Sequence, residues 1–243
     1  MELDVIYNKP CGTMDEILDA SVDVVITSPP YNRSQRTPQR GKKFNLVGYG
    51  EFDDRLPQDV YEQKQIAVLN TCARVIKPTG SIFYVHQPRS FQGRLIHPLR
   101  WILRSDCDIY QEIIWNRRST HKHEPSYLWP IHEYVFHLCR RDGKPRVSPD
   151  CAHLSTIWSV KWNESARNPH PAPFPEELVW RCLKLADPPT EGVVVDPYMG
   201  SGTTALVAAE AGLHFVGYEI NPAYIRLAKM RLRRARLELY PGL

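Results

Sequence analysis

The run "VVVDPYMGSGTTALVAAEAGLHFVGYEIN", Val193 to Asn221, leaves this chain few architectures. Three valines lead into Asp196, two glycines follow at Gly200 and Gly202, a small-residue stretch reads as a helix, and a second apolar run ends at Glu219. That pattern is strand, glycine turn, helix, strand. Two strands joined through a helix lie parallel in one sheet.

The same alternation recurs along the chain. Strands are expected at 22–27, 81–86, 111–115, 132–138, 192–196 and 214–219, and helices at 59–76, 91–103, 175–185, 203–211 and 222–239. Asn221 followed by Pro222 reads as a cap and a first-turn proline for the last helix. The fold class is therefore α/β, a mostly parallel twisted sheet with helices on both faces. With 243 residues, 42% hydrophobic, one domain spanning 1–243 is expected. Two stretches escape the scheme: 33–56, basic and aperiodic, and the proline-, histidine- and tryptophan-rich segments at 117–130 and 144–173. Long irregular segments inside a compact domain are commonly functional.

Six scattered cysteines without a C-x-x-C pair suit a reducing compartment and argue against disulfides and a zinc site, so a cytoplasmic protein is expected. His121, His123, Cys139, Cys151 and His153 are too irregularly spaced to read as metal ligands. The N-terminus opens without a basic, apolar leader and no run is long enough to span a bilayer, so no membrane partner is expected. Net charge is +4, a mild excess that permits nucleic-acid binding. The basic stretch "RLAKMRLRRARLEL" intersperses its charges with leucines at helical spacing and reads as the solvated face of a packed helix.

Two motifs carry chemistry. At Gly200 and Gly202 the backbone can pass close to a ligand at a helix start, where the dipole favours negative charge, so this turn suits an anionic or nucleoside ligand. Gly200, Gly202 and Ala205 also satisfy the dinucleotide fingerprint, with Glu219 placed to take ribose hydroxyls; that pattern alone would fit a nicotinamide enzyme. The second motif closes "SVDVVITSPPYN": Pro29 and Pro30 lack amide hydrogens and fix φ, so a strand must leave its sheet there as a stiff loop. "ADPPTE" at 186–191 reads only as a helix-ending turn.

Taken together, Ser28-Pro29-Pro30-Tyr31 and Asp196-Pro197 with the glycines after it resemble the signature pair of S-adenosylmethionine-dependent DNA amino-methyltransferases, in the permuted, catalytic-half-first order of the beta class. "CARVIKPTGSIFYVH", "EIIWNRRSTHKHEPSYLWPIHEYVFHLCR" and "NPHPAPFPEELVWRCL" are similar to further segments of that family. The resemblance implies a Rossmann-like methyltransferase fold with the strands ending at Thr27 and Asp196 adjacent. It implies S-adenosyl-L-methionine as cofactor, double-stranded DNA as partner, and transfer to an exocyclic amino group of a flipped base. Ser28, Pro29, Pro30 and Tyr31 would be catalytic. Asp196, Pro197, Gly200, Ser201, Gly202, Thr203, Thr204 and Glu219, with His170 and Phe174 of a closing segment, would bind cofactor.

In the family it resembles, serine before Pro-Pro-Tyr is commoner in cytosine-N4 enzymes, so the resemblance implies cytosine N4, with adenine N6 the alternative and a nicotinamide-dependent oxidoreductase or a catalytically silent DNA-binding module the further rivals. Target recognition would fall to an insertion at about 116–168. Arg33, Arg36, Arg40, Lys42 and Lys43 after the turn, and Arg117, Arg118, Lys122 and Arg146 in the insertion, are the candidate DNA contacts. The family's N-terminal Gly-Asp pair is replaced here by "NKPCGTM", with Asp15 the nearest substitute. Oligomeric state, including a homodimer, stays open.

Overall fold

A computed structural model of the chain describes residues 1–32, 56–91, 93–118, 128, 130–161 and 175–239. Ten strands occur among them: β1 (Val5–Tyr7), β2 (Val22–Thr27), β3 (Ile76–His86), β4 (Arg89–Phe91), β5 (Arg94–Ile96), β6 (Cys107–Asn116), β7 (His132–Arg140), β8 (Ile157–Ser159), β9 (Val193–Asp196) and β10 (His214–Tyr218). The α-helices are α1 (Gln58–Val75), α2 (Leu99–Ile102), α3 (Glu176–Ala186), α4 (Thr203–Glu210) and α5 (Pro222–Leu239).

Eight strands form one sheet in the order β1-β10-β9-β2-β3-β7-β6-β8. The five from β1 to β3 run parallel; β7 is antiparallel to both neighbours, and β8 lies parallel to β6 at the edge. β2 and β9 pair directly, Val24 with Val194 and Val25 with Val195. From β9 the chain crosses through α4 to β10 on one side; from β2 it crosses through α1 to β3 on the other. The β2/β9 junction is thus the point where strand order diverges, and crevices at the carboxyl ends of such strands are where open α/β sheets bind ligands.

Burial on both faces explains why β2 and β9 read as near-continuous apolar runs. Val24, Ile26 and Val194 point into a core shared with α3, α4 and α5, while Val25 and Val195 point into a second core beneath α1 and α2. The α5 start is capped as expected, Asn221 Oδ1 accepting from the Ala223 amide at 2.9 Å. Asp187, at φ 46°, ends α3 in the left-handed conformation, consistent with "ADPPTE" as a turn.

One expected element is corrected. The helix read at 91–103 is instead the end of a β4–β5 hairpin followed by the four-residue α2. Gly93, at φ +73°, turns the chain between the strands, and Pro98 sits as the cap residue of α2, so apolar spacing across the interval does not describe a single helix. β1 and β8, three residues each, had no readable sequence signal.

Candidate functional site

The two motifs emerge side by side. Thr27, the last residue of β2, donates its hydroxyl hydrogen to Asp196 Oδ1 at 2.8 Å, and Asp196 is the last residue of β9. Oδ1 also accepts from the Tyr198 amide at 2.9 Å, and Oδ2 accepts from the Thr204 hydroxyl at 2.7 Å. The carboxylate is 1% exposed. Burial pushes its pKa up to about 6, against the opposing pull of the Thr204, Tyr198 and Thr27 hydrogen bonds. Asp196 therefore ties the proline turn, the glycine turn and α4 together.

Around the glycine turn the donors are largely spent internally. The Gly200 amide donates to Glu219 Oε2 at 2.9 Å, the Gly202 amide to the Met199 carbonyl at 2.9 Å, and Glu219 Oε1 accepts from the Asn221 amide at 2.7 Å. Burial raises the Glu219 pKa from the usual carboxylate value. This qualifies the expectation of amides aimed at a ligand: Gly200 and Gly202 shape the loop and spend their own amides within it. Gly202 lies at φ +80°, and a Cβ there would stand 2.6 Å from Ala228 Cβ of α5. Pro197, Ser201, Thr203 and Thr204 are buried in the same loop and first helical turn.

At the proline turn, Ser28 Oγ donates to the Tyr31 hydroxyl at 2.9 Å, which donates to Glu133 Oε2 at 2.7 Å. Glu133, on β7, is held by Arg117 Nη1 at 2.9 Å, and Arg117 Nη2 donates to the Pro130 carbonyl at 2.6 Å. The Arg117 side chain is only 17% exposed, so its contact here is structural. The Pro30 carbonyl accepts from Tyr61 Oη of α1 at 2.8 Å, and Tyr61 Oη also lies 2.8 Å from His86 Nε2. The Tyr31 ring lies against His86, centroids 4.4 Å apart. Asn32, at φ 52°, anchors the end of the turn by donating to the Leu56 carbonyl at 2.9 Å; its Oδ1 is buried without a hydrogen-bond partner among the described residues. A non-glycine residue in that conformation is a strained position of the kind that clusters at functional sites.

The structure thus brings together Ser28, Pro29, Pro30 and Tyr31 with Asp196, Pro197, Gly200, Ser201, Gly202, Thr203, Thr204 and Glu219. Arg118, two residues past the end of β6, is exposed, and Arg146 pairs with Asp187 at the end of α3 at 3.1 Å, away from this junction. Asp15 is exposed, whereas Asn8, just past β1, donates to the Glu219 and Ile220 carbonyls at 3.1 and 3.0 Å. Arg33, Arg36, Arg40, Lys42, Lys43, Lys122, His170 and Phe174 lie outside the described residues.

Residues not singled out from sequence complete the site: Tyr61, His86, Glu133 and Arg231. Arg231 corrects the reading of α5 as bearing only solvated charges. Its Nη1 donates to the Ser201 carbonyl at 2.8 Å and to Thr203 Oγ1 at 3.0 Å, and its Nη2 to Glu176 at 3.0 Å. An open cavity of about 410 Å³ lined by Arg74, Arg140, Arg141, Asp106 and Asp142 lies at the opposite edge, beside the amino end of β2, and has no part in this junction.

An N6/N4 methyltransferase family model, described as DNA methylase, matches residues 22–230, which takes in both turns. The chain belongs to this family. This DNA methylase is 29% identical over 269 aligned residues to the type II methyltransferase M.BglII of Bacillus subtilis, covering 93% of this chain and 68% of the relative. It is 28% identical over 253 residues to the type II methyltransferase M.HpaI of Haemophilus parainfluenzae, covering 96% and 74%. Among solved structures, the cytosine-N4-specific PvuII DNA methyltransferase matches the methylase with TM-score 0.73 at 18% identity, covering 93% of this chain and 85% of that one. A DNA modification methylase from Thermus thermophilus, complexed with S-adenosyl-L-methionine, matches with TM-score 0.66 at 23% identity, covering 98% and 94%. At these identities the likeness establishes the fold, the Rossmann-like methyltransferase fold expected from the two motifs. Among the described residues of the methylase, no helix is long and apolar enough to cross a membrane.

Proposed function

We propose that this DNA methylase transfers the methyl group of S-adenosyl-L-methionine to the exocyclic N4 amino group of a cytosine extruded from duplex DNA. The observation that carries the reading is the Thr27–Asp196 hydrogen bond, which sets a stiff proline turn and a glycine turn at one strand junction. S-adenosyl-L-methionine supplies a methyl carbon bonded to a positively charged sulfur. Its fit rests on the glycine turn at Gly200 and Gly202 and on the Glu219 carboxylate beside it, the residues that would hold the methionine and ribose parts. The solved relative that carries the same molecule supports the choice.

The chain's own residues act on the base. An exocyclic amine is a poor nucleophile because its lone pair is delocalised into the ring. Two acceptors on its hydrogens favour a pyramidal nitrogen. The Ser28 hydroxyl has one hydrogen, and it is given to Tyr31, whose own hydrogen goes to Glu133. Ser28 Oγ is thereby turned into an acceptor. The Pro30 carbonyl is held by Tyr61, so the Pro29 carbonyl is the acceptor assigned to the second amino hydrogen. Tyr31, backed by the His86 ring, provides an aromatic surface for the extruded base.

Cytosine is preferred because serine precedes Pro-Pro-Tyr, and the cytosine-N4-specific relative shares the fold. One domain would carry the whole reaction, with 116–168 reading the target. Digesting plasmid DNA treated with the protein and S-adenosyl-L-methionine to nucleosides tests the proposal: N4-methylcytosine is expected, N6-methyladenine would move the assignment to the other amine, and unmodified DNA would overturn it.

A further inference from the structure

The β4–β5 hairpin belongs to neither motif, and its charge is unusual. From Gln87 to Ser105 the chain has no Asp or Glu, while Arg89, Arg94, Arg100 and Arg104 fall within the interval. Among the described residues, Arg100 and Arg104 both converge on Glu62 at 3.0 Å. Arg89 bonds Gln58, which donates to Glu62 at 2.8 Å. One carboxylate thus pairs with two arginines, while Arg89 meets it only through the Gln58 amide. Arg94, at the hairpin tip opposite Phe91, is exposed and makes no ion pair among the described residues.

The tip is also apolar. Phe91 is 39% exposed beneath the Arg89 guanidinium, 5.0 Å from its ring centroid, and Leu95 on the other face of the hairpin is 69% exposed. Isolated exposed apolar residues are ordinary, but two at the tip of a short hairpin beside an unneutralised arginine form a mixed surface.

Its place decides what it can meet. The hairpin begins three residues after His86, at the carboxyl end of β3, next to the strand that carries the catalytic turn. Gln87, just before it, donates to Glu133 at 3.4 Å, the carboxylate that holds Tyr31. Arg89 reaches the start of α1, where Leu56 anchors Asn32. The tip therefore borders the edge from which a base must be delivered to Ser28.

We propose that the Arg89–Ile96 hairpin is a duplex-contacting element, with Arg94 on a backbone phosphate and Phe91 and Leu95 against the sugars and groove wall beside the extruded base. The proposal rests on the DNA-methylation reading above. A polyanion complements the uncompensated arginine, and apolar side chains at a basic tip are what a deformed groove accommodates.

The test measures binding of a fluorescein-labelled duplex, cut from plasmid DNA that the protein methylates, across a potassium chloride series for wild type, Arg94→Gln, Leu95→Ser and Lys184→Gln. Lys184, exposed near the end of α3 at the far edge, changes net charge equally and should match wild type. Arg94→Gln should bind more weakly and lower the slope of log affinity against log salt by about 0.9, one phosphate's share. Leu95→Ser should bind more weakly with the slope unchanged. If Arg94→Gln keeps wild-type affinity and slope while wild type binds the duplex, the hairpin is only a solvated face and the proposal falls. If wild type neither binds nor methylates the duplex, the DNA-methylation reading fails first.

Discussion

Thr27 Oγ1 and Asp196 Oδ1 stand 2.8 Å apart although their residues are separated by 169 positions, and this contact joins the proline turn and the glycine turn, the two loops to which the proposed transfer is assigned. Replacing Thr27 by valine keeps the shape and removes the donor. A hydrogen bond to a buried charged group contributes about 1.5–3 kcal/mol, so urea unfolding of Thr27→Val should show a loss of that order. Thr27→Ser, which keeps the hydroxyl, should recover most of it. Equal stability of Thr27→Val and wild type would show that the bond does not tie the loops.

The hydroxyl of Tyr31 orients Ser28 as an acceptor by passing a hydrogen to Glu133. Tyr31→Phe should lower kcat by roughly tenfold to a hundredfold, with cofactor affinity unchanged, because one aligned group of the transition state is lost while the ring stays. Single-turnover methylation beside calorimetric titration of S-adenosyl-L-methionine reads the two effects separately. A loss confined to cofactor affinity would contradict the role assigned to this hydroxyl.

Gly202 has two separate reasons to lack a side chain, its φ of +80° and the 2.6 Å approach a Cβ would make to Ala228 Cβ. Gly202→Ala should destabilise by more than about 1 kcal/mol from backbone strain alone and weaken cofactor binding through the displaced loop. Gly202→Ala with Ala228→Gly removes the closest contact, leaving the Ala228 Cα at 3.1 Å and the backbone strain, so thermal unfolding should show partial rescue. Full rescue would mean that the left-handed conformation costs nothing, and none would mean that the helix contact is immaterial.

Asp196 gives the protein a pH signature. A carboxyl whose pKa rises on folding from the usual 3.8 to about 6 stabilises the fold fully below pH 3.8, and that contribution is lost as pH rises to 6. His137 works in the opposite sense, since burial lowers its pKa to about 4, so its neutral form favours the fold as pH rises toward 6.5. Asp196→Asn removes the carboxyl's share, so stability relative to wild type should climb by up to about 3 kcal/mol between pH 4 and 7 in urea titrations. Parallel curves for the two proteins would rule the buried ionisation out.

How much of this was legible follows from where each signal resides. β2, β9 and α5 were readable because valine runs end against Pro29 or Asp196 and because Asn221-Pro222 is a local start signal. The hairpin at Arg89–Ile96 was not, because its apolar residues also suit a helix and only the Gly93 turn distinguishes the two. The signature residues were found because they are contiguous. Tyr61, His86, Glu133 and Arg231 become part of the site only through contacts such as Glu133 with Tyr31, 102 positions apart. A Tyr on an amphipathic helix or an Arg among leucines carries no mark of that in its neighbours.

In the proposed function the proline turn and the glycine turn form one transfer site with separable tasks, one gripping the base and the other the cofactor. Tyr31→Ala tests it most directly, with S-adenosyl-L-methionine affinity and methyl incorporation into plasmid DNA measured on the same preparation. Wild-type cofactor affinity with methyl transfer abolished is the expected result. Transfer at the wild-type rate, or loss of cofactor binding in step with loss of transfer, would contradict it.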